Sequence, residues 1–195
     1  MQTYDVTLKF IEPLLGTIPL NKELYEEWVQ TQAADGEADD ELETVEEMTE
    51  KGTTGFHRLE DGTPVLYDYV IKGFFKDACG MLRRVPKSHS SKEKAYKKVV
   101  DGLIFVKPRR IPILKNGEIG ILERPLRAKT AQGERIALSR SESMPVGSSI
   151  TFQLHVMDGI REELLREWLD YGALRGLGQW RNGGYGSFTY EMELR

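Results

Sequence analysis

The chain is predicted to be an α+β protein with a ferredoxin-like, RRM-like βαββαβ core, and three features of its 195 residues point there. Segments 4–10, 150–156 and 188–194 alternate apolar and polar residues with the two-residue period of a strand. Segment 103–106 is a short apolar run of the kind that forms a buried strand. Segments 70–84 and 160–169 repeat apolar residues at helical spacing. Without insertions the order is strand, helix, strand, long hairpin region, strand, helix, strand. That order puts two helices on one face of a sheet and leaves the other open, a face many nucleic-acid binders use.

In the first strand Tyr4, Val6, Leu8 and Phe10 face one way, and Asp5, Thr7 and Lys9 the other. Asn21 can cap a helix carrying Leu24, Tyr25, Trp28 and Val29. After a break at QAADGEADD, Leu42, Val45 and Met48 recur among glutamates, so 20–55 reads as an acidic helical insertion. Glu60-Asp61-Gly62-Thr63-Pro64 is a turn signal. In the helix at 70–84, Ile71, Phe74, Phe75, Ala78, Cys79 and Leu82 form one arc, and Lys72, Gly73, Lys76, Asp77, Gly80, Arg83 and Arg84 the other. A basic, polar loop over 87–99 runs into a short helix. Prolines 108, 112 and 125 and Asn116-Gly117 then mark an extended basic hairpin arm at about 107–135. Asp158 can cap the second core helix, whose buried face is Ile160, Leu164, Leu165, Trp168 and Leu169. A glycine-rich loop leads to the last strand, and the whole of 1–195 is expected to be one domain.

Composition limits the function classes. No apolar run reaches the ~18 residues a membrane helix needs. The N-terminal MQTYDVTLKF reads as a strand of the mature protein and not as a signal peptide. The single cysteine, Cys79, excludes an intramolecular disulfide and any multi-thiolate metal site. A reduced, cytoplasmic setting is expected. The net charge of −4 hides a segregation of charge. Residues 72–135 hold 17 Lys and Arg against 6 Asp and Glu, while nine acids fall between 35 and 50 with no Lys or Arg among them. Local field, not net charge, attracts a phosphate backbone.

Three segments carry candidate binding residues. Gly73 and Gly80 lie on the polar arc of the first helix, where each costs about 1 kcal/mol relative to alanine. Something approaches that backbone closely, either a packed neighbouring loop or a phosphate held by Lys72, Lys76, Arg83 and Arg84. The second segment holds Gly178, Trp180, Arg181, Gly183, Gly184, Tyr185 and Gly186. Its glycines free backbone N–H groups, its rings can stack on bases, and its arginine can pair with phosphate. No Gly-Lys-Ser/Thr follows the glycines, which argues against a nucleotide-binding P-loop. The third segment is the arm, with Lys107, Arg109, Arg110, Arg124, Arg127 and Lys129 suited to lie along a strand of nucleic acid. Asp35, Asp39 and Asp40 lack the spacing of a calcium loop, so no metal or other cofactor is expected. His89 among Lys87, Lys92 and Lys94 is the one acid–base option, for a metal-independent ribonuclease. No catalytic residue is assigned.

Four motifs resemble the CRISPR-associated RAMP superfamily, most of all the backbone subunits that line up along guide RNA. They are strand 4–10 followed by Glu12-Pro13-Leu14-Leu15-Gly16, then Tyr69-Val70-Ile71-Lys72-Gly73-Phe74-Phe75-Lys76, then Met144-Pro145-Val146-Gly147-Ser148-Ser149-Ile150-Thr151-Phe152, then Leu177-Gly178 to Tyr185-Gly186. They span most of the chain in the family's order. The turn that usually precedes the Lys-Gly helix is replaced by Val65-Leu66-Tyr67-Asp68. The region that holds the cleavage aspartate in target-cutting subunits is replaced by the acidic insertion, so nuclease activity is not carried over. The sequence also resembles stand-alone proteins of bacteriophages. The resemblance implies a RAMP-type core that binds single-stranded nucleic acid, RNA favoured, and joins copies of itself or other subunits in a ribonucleoprotein. A metal-independent endoribonuclease, and a phage factor that mimics or inhibits a host effector subunit, are the alternatives.

Overall fold

A computed structural model describes the backbone of residues 1–20, 53–130 and 133–195, and the side chains of all of these except 126–130 and 133–138. The described strands are β1 (Gln2–Phe10), β2 (Leu14–Leu15), β3 (Ile18–Pro19), β4 (Thr53–Gly55), β5 (His57–Arg58), β6 (Pro64–Tyr67), β7 (Ile104–Lys107), β8 (Arg110–Leu114), β9 (Gly120–Thr130), β10 (Gly133–Met144), β11 (Ser149–Val156) and β12 (Phe188–Leu194). The described helices are α1 (Asp68–Leu82), α2 (Tyr96–Leu103) and α3 (Glu162–Arg175), and none is long and apolar enough to cross a membrane.

The fold is mixed α+β. One sheet runs β12-β1-β11-β8-β6-β5, with β7 also paired to β11, and a second runs β2-β10-β4-β3, with β9 beside β10. Strand β1 is antiparallel to both neighbours, with Leu8 opposite Ile150 of β11 and Tyr190 of β12. Its alternation sends Tyr4, Val6, Leu8 and Phe10 into the core beside Ile150, Phe152 and Leu154. Helix α1 covers them with Ile71, Phe74, Phe75, Ala78 and Cys79, and α3 with Leu164, Leu165, Trp168 and Leu169. Phe75 meets Trp168 at 5.3 Å between centroids, and Phe74 meets Phe188 edge-on at 5.4 Å. Burial pushes the Cys79 thiol up, as befits a core residue.

Several expectations are corrected. The predicted insertion lies mostly outside the described residues, including Asp35, Asp39 and Asp40, but its end, Thr53–Gly55, is strand β4 and pairs with β3. Helix α1 begins at Asp68, whose N–H donates to the Arg109 carbonyl at 2.9 Å, so a neighbouring loop satisfies one of its orphan donors. Segment 103–106 is not buried throughout: Leu103 closes α2, Ile104 and Val106 point inward, and Phe105 is 41% exposed. Asp158 does not cap α3. Arg161 is the N-cap, and Asp158 holds the N-terminal ammonium at 2.6 Å.

The predicted arm divides into two parts. Residues 104–114 belong to the first sheet, because Ile111 and Ile113 alternate into its core. Pro112 is tolerated there since it pairs on one side only, opposite Val65. The hairpin itself is β9–β10, in register from Gly120 opposite Ser143 to Thr130 opposite Gly133, roughly 35 Å of paired strand. The open face of the first sheet also differs from an RRM-like expectation. Its outward residues on β1, β11 and β12 are mostly hydroxyls, acids and an amide, together with Lys9 and His155, with Gln153 donating to Asp5 at 2.9 Å and Thr7 bonded to Thr151 at 3.0 Å. None of those outward positions is Phe, Tyr or Trp, so these three strands present no such ring there.

Candidate nucleic-acid interface

The loop after α3 is built by close approach. At Gly172, inside α3, a Cβ would fall within the Phe188 ring. Gly178 makes room for the Leu15 carbonyl and Gly186 for the Leu177 backbone, while Leu177 N–H donates to the Gly186 carbonyl at 3.0 Å and closes the loop at its base. Packing therefore accounts for Gly178 and Gly186. All three have positive φ, 77°, 84° and 70° for Gly178, Gly184 and Gly186, but at Gly184 no described atom lies within 4 Å of where its Cβ would be, so its conformation alone accounts for it. Gln179 points inward, where its Oε1 accepts from Ser141 Oγ at 2.9 Å and Thr54 Oγ1 at 3.2 Å, tying the loop to β10 and β4.

This closure presents Trp180 and Tyr185 together, edge-to-face with centroids 6.3 Å apart. Arg124 of β9 places its guanidinium 4.5 Å from the Trp180 centroid and 5.3 Å from that of Tyr185. Gly183 lies beneath the same guanidinium, where a Cβ would stand 3.2 Å from Arg124 Nη1. Two segments far apart in sequence thus meet in one cluster, the root of the hairpin arm and the glycine-rich loop.

Arg181 turns the other way. It reaches Asp77 of α1, whose Oδ2 accepts from Arg175 Nε at 2.8 Å and from Arg181 Nη1 at 3.2 Å. The Asp77 side chain is 4% exposed, and its Oδ1 has no hydrogen-bond partner among the described residues. Arg175 also donates to Asn182. The acidic member of the polar arc is thus the latch that docks the loop on α1. Neither Asp77 nor Gln179 was among the expected site residues. The one sequence signal for Asp77 was a lone acid in an arc otherwise of Lys, Arg and Gly.

The other side of the polar arc meets α2. Lys72 Nζ donates to the Asp101 carbonyl at 3.1 Å and stands 5.2 Å from the Phe105 ring, and Lys76 pairs with the Asp101 carboxylate at 2.9 Å. Arg83 lies 5.5 Å from the Tyr96 ring, and a Cβ on Gly80 would meet the Tyr96 hydroxyl at 3.0 Å. A packed neighbour therefore accounts for Gly80. Gly73 lies on the stripe between Lys76 and Asp77 and is half-buried, whereas α1 ends at Leu82 and leaves the exposed Arg84 in the turn that follows. The Lys76–Asp101 pair is partly solvated on both sides and is worth at most about 1 kcal/mol, so a phosphate can compete for the ammonium.

Lys107, Arg109 and Arg110 sit at the ends of β7 and β8 in the first sheet, apart from the β9 cations in the second. Arg127 and Lys129 lie on β9, with side chains outside the described set. His89 is exposed in a 3-10 turn, and the turn is held by Glu167, which accepts from His89 N–H at 2.7 Å and Ser90 N–H at 2.9 Å. Those bonds anchor the loop backbone and do not involve the imidazole.

The chain shares its fold with a subunit of a CRISPR complex. A chain in the cryo-EM structure of the Type III-B Cmr-beta bound to cognate target RNA matches with a TM-score of 0.56 at 11% identity. The match covers 99% of this chain and 60% of that one, so this protein spans about three fifths of its length. A chain of the Type IV-B CRISPR complex gives a TM-score of 0.47 at 12% identity, over 98% of this chain and 90% of that one. No protein-family model and no curated protein matches the sequence.

Proposed function

We propose that the protein is a non-catalytic binder of single-stranded nucleic acid, RNA in preference to DNA, acting within a ribonucleoprotein complex or as multiple copies. Its framework is read as a ferredoxin-like core of RAMP type, in one domain with the hairpin as its arm. Strand order β12-β1-β11-β7 with α1 and α3 as crossovers supports that reading. The observation that carries the function is the Arg124–Trp180–Tyr185 cluster. It joins two indole- and phenol-bearing positions to a cation at an outer loop, the combination that single-strand binders use for bases and phosphates. Lys72, Lys76, Arg83 and Arg84 flank the loop's docking helix and supply further positive charge.

Fluorescence anisotropy with labelled single-stranded RNA over a range of salt tests it. Trp180→Ala and Tyr185→Ala are each expected to weaken binding by about 1–3 kcal/mol with little change in salt slope. Lys72→Ala combined with Lys76→Ala is expected to flatten the log–log slope by roughly 0.7 for each phosphate no longer neutralised. If the ring and charge variants all bind as the parent does, the cluster is structural and a protein-interaction role takes its place. Cleavage that survives EDTA and is lost in His89→Ala would replace the binder with an endoribonuclease.

A further inference from the structure

A second group of rings lies on the first sheet, away from the glycine-rich loop. Tyr67 ends β6 and Tyr69 is the second residue of α1, and their rings stack with centroids 5.4 Å apart and planes 20° apart. Residues two apart on a helix face different ways. These two stack because Tyr67 is still extended, at φ −85° and ψ 153°, while Tyr69 is in the first turn. His57 of the adjacent β5 meets Tyr67 edge-on at 4.7 Å. On the other side Arg110, directly opposite Tyr67 in the β6–β8 pairing, holds its guanidinium 5.9 Å from the Tyr67 centroid. The exposed Arg109 adjoins the same strand end, fixed by its carbonyl to Asp68 N–H.

The stack does not enter the core: Tyr69 is 40% exposed. Among the described residues the local charge is positive, with Arg109 and Arg110 against Asp68. Burial, and secondarily Arg110, hold the His57 pKa below its ordinary value, which disfavours the charged imidazolium. Among the described residues Asp68 is the acid of this corner, and its Oδ1 accepts from Tyr69 N–H at 3.0 Å. A ligand that matches an exposed flat ring with a guanidinium close by has a planar face and an anion a few bonds away. An unpaired nucleotide has both, whereas an acidic peptide has only the second.

We propose that Tyr69, backed by Tyr67 and flanked by Arg109 and Arg110, is a second nucleotide subsite, stacking an unpaired base and pairing its phosphate with the arginines. It rests on the single-strand-binding reading above, and it lies on the first sheet, whereas the Arg124 cluster joins the second sheet to the loop after α3.

The test uses the whole chain and a uridine-rich single-stranded RNA carrying 2-aminopurine, read by anisotropy for affinity and by quenching for stacking. Tyr69→Ala is expected to weaken binding about 5- to 150-fold at unchanged salt slope and to relieve part of the quenching. Tyr69→Phe should keep both, and Tyr69→Leu, which preserves apolar volume without a flat ring, should behave as alanine does. Arg109→Ala with Arg110→Ala should lower the slope by about 0.7 for each phosphate released. If the parent binds and quenches, and Tyr69→Ala and Tyr69→Leu do so equally, the subsite is wrong and the binder reading stands. If the parent binds no RNA but binds poly-glutamate, both fall.

Discussion

Replacing Asp77 by alanine is expected to cost about 3–5 kcal/mol of stability, the penalty for removing one partner of a buried ionic group. The carboxylate is 4% exposed, and the two guanidiniums that converge on it are 15% exposed for Arg175 and 10% for Arg181. Alanine leaves two positive charges facing each other in a poorly hydrated space between α1 and the loop. Asp77→Asn keeps the shape and one acceptor oxygen, so it should lose less. Urea unfolding with an unchanged m-value measures both. The consequence for binding decides more. Removing an acid from a phosphate-binding surface should strengthen binding if the acid only repels the ligand. Here it should weaken binding, because the loop carrying Trp180 and Tyr185 is no longer docked. A folded Asp77→Asn variant with higher RNA affinity would show that the loop takes no part in the interface.

Gly172→Ala is the second large effect, and helix propensity gives it the wrong sign. Alanine in a helix interior is favoured over glycine by about 1 kcal/mol. In the structure a Cβ at 172 would lie 2.6 Å from Phe188 Cε1 and nearer still to other atoms of that ring. Phe188 is fully buried and held edge-on by Phe74 at 5.4 Å and Phe10 at 6.4 Å, so it cannot move aside. Overpacking of this kind costs about 1–3 kcal/mol, more for a larger side chain. Thermal unfolding should show Gly172→Ala less stable than the parent and Gly172→Val less stable again. Adding Phe188→Leu should recover part of the loss by removing the ring. A stabilised Gly172→Ala would mean that α3 and β12 are not packed this closely.

The core was legible wherever burial follows a local period. Tyr4, Val6, Leu8 and Phe10 point to the core because residues two apart in a strand share a face, and Ile71, Phe74, Phe75, Ala78 and Cys79 do so because residues three and four apart share a helical face. The glycine-rich loop was legible as unusual, but not the use of each glycine. Gly178 and Gly186 answer to backbone from distant or folded-back segments, and no pattern within the loop distinguishes them from Gly184. The arm starts later than its prolines suggest. A proline ordinarily interrupts a strand, whereas Ile111 and Ile113, both buried, hold Pro112 inside one.

Local patterning by itself determined the α+β composition, the two apolar helix faces, the three alternating strands and the segregation of charge, since each is a property of neighbouring residues. Tertiary structure alone decided what the polar residues do. Asp77 meets Arg175 and Arg181 across separations of 98 and 104 residues, and Arg124 meets Trp180 only because β9 and the loop after α3 converge. Charges and rings carry no periodicity that names a partner. Their roles follow from which surfaces the buried faces bring together, and that is set by the packing of the whole chain.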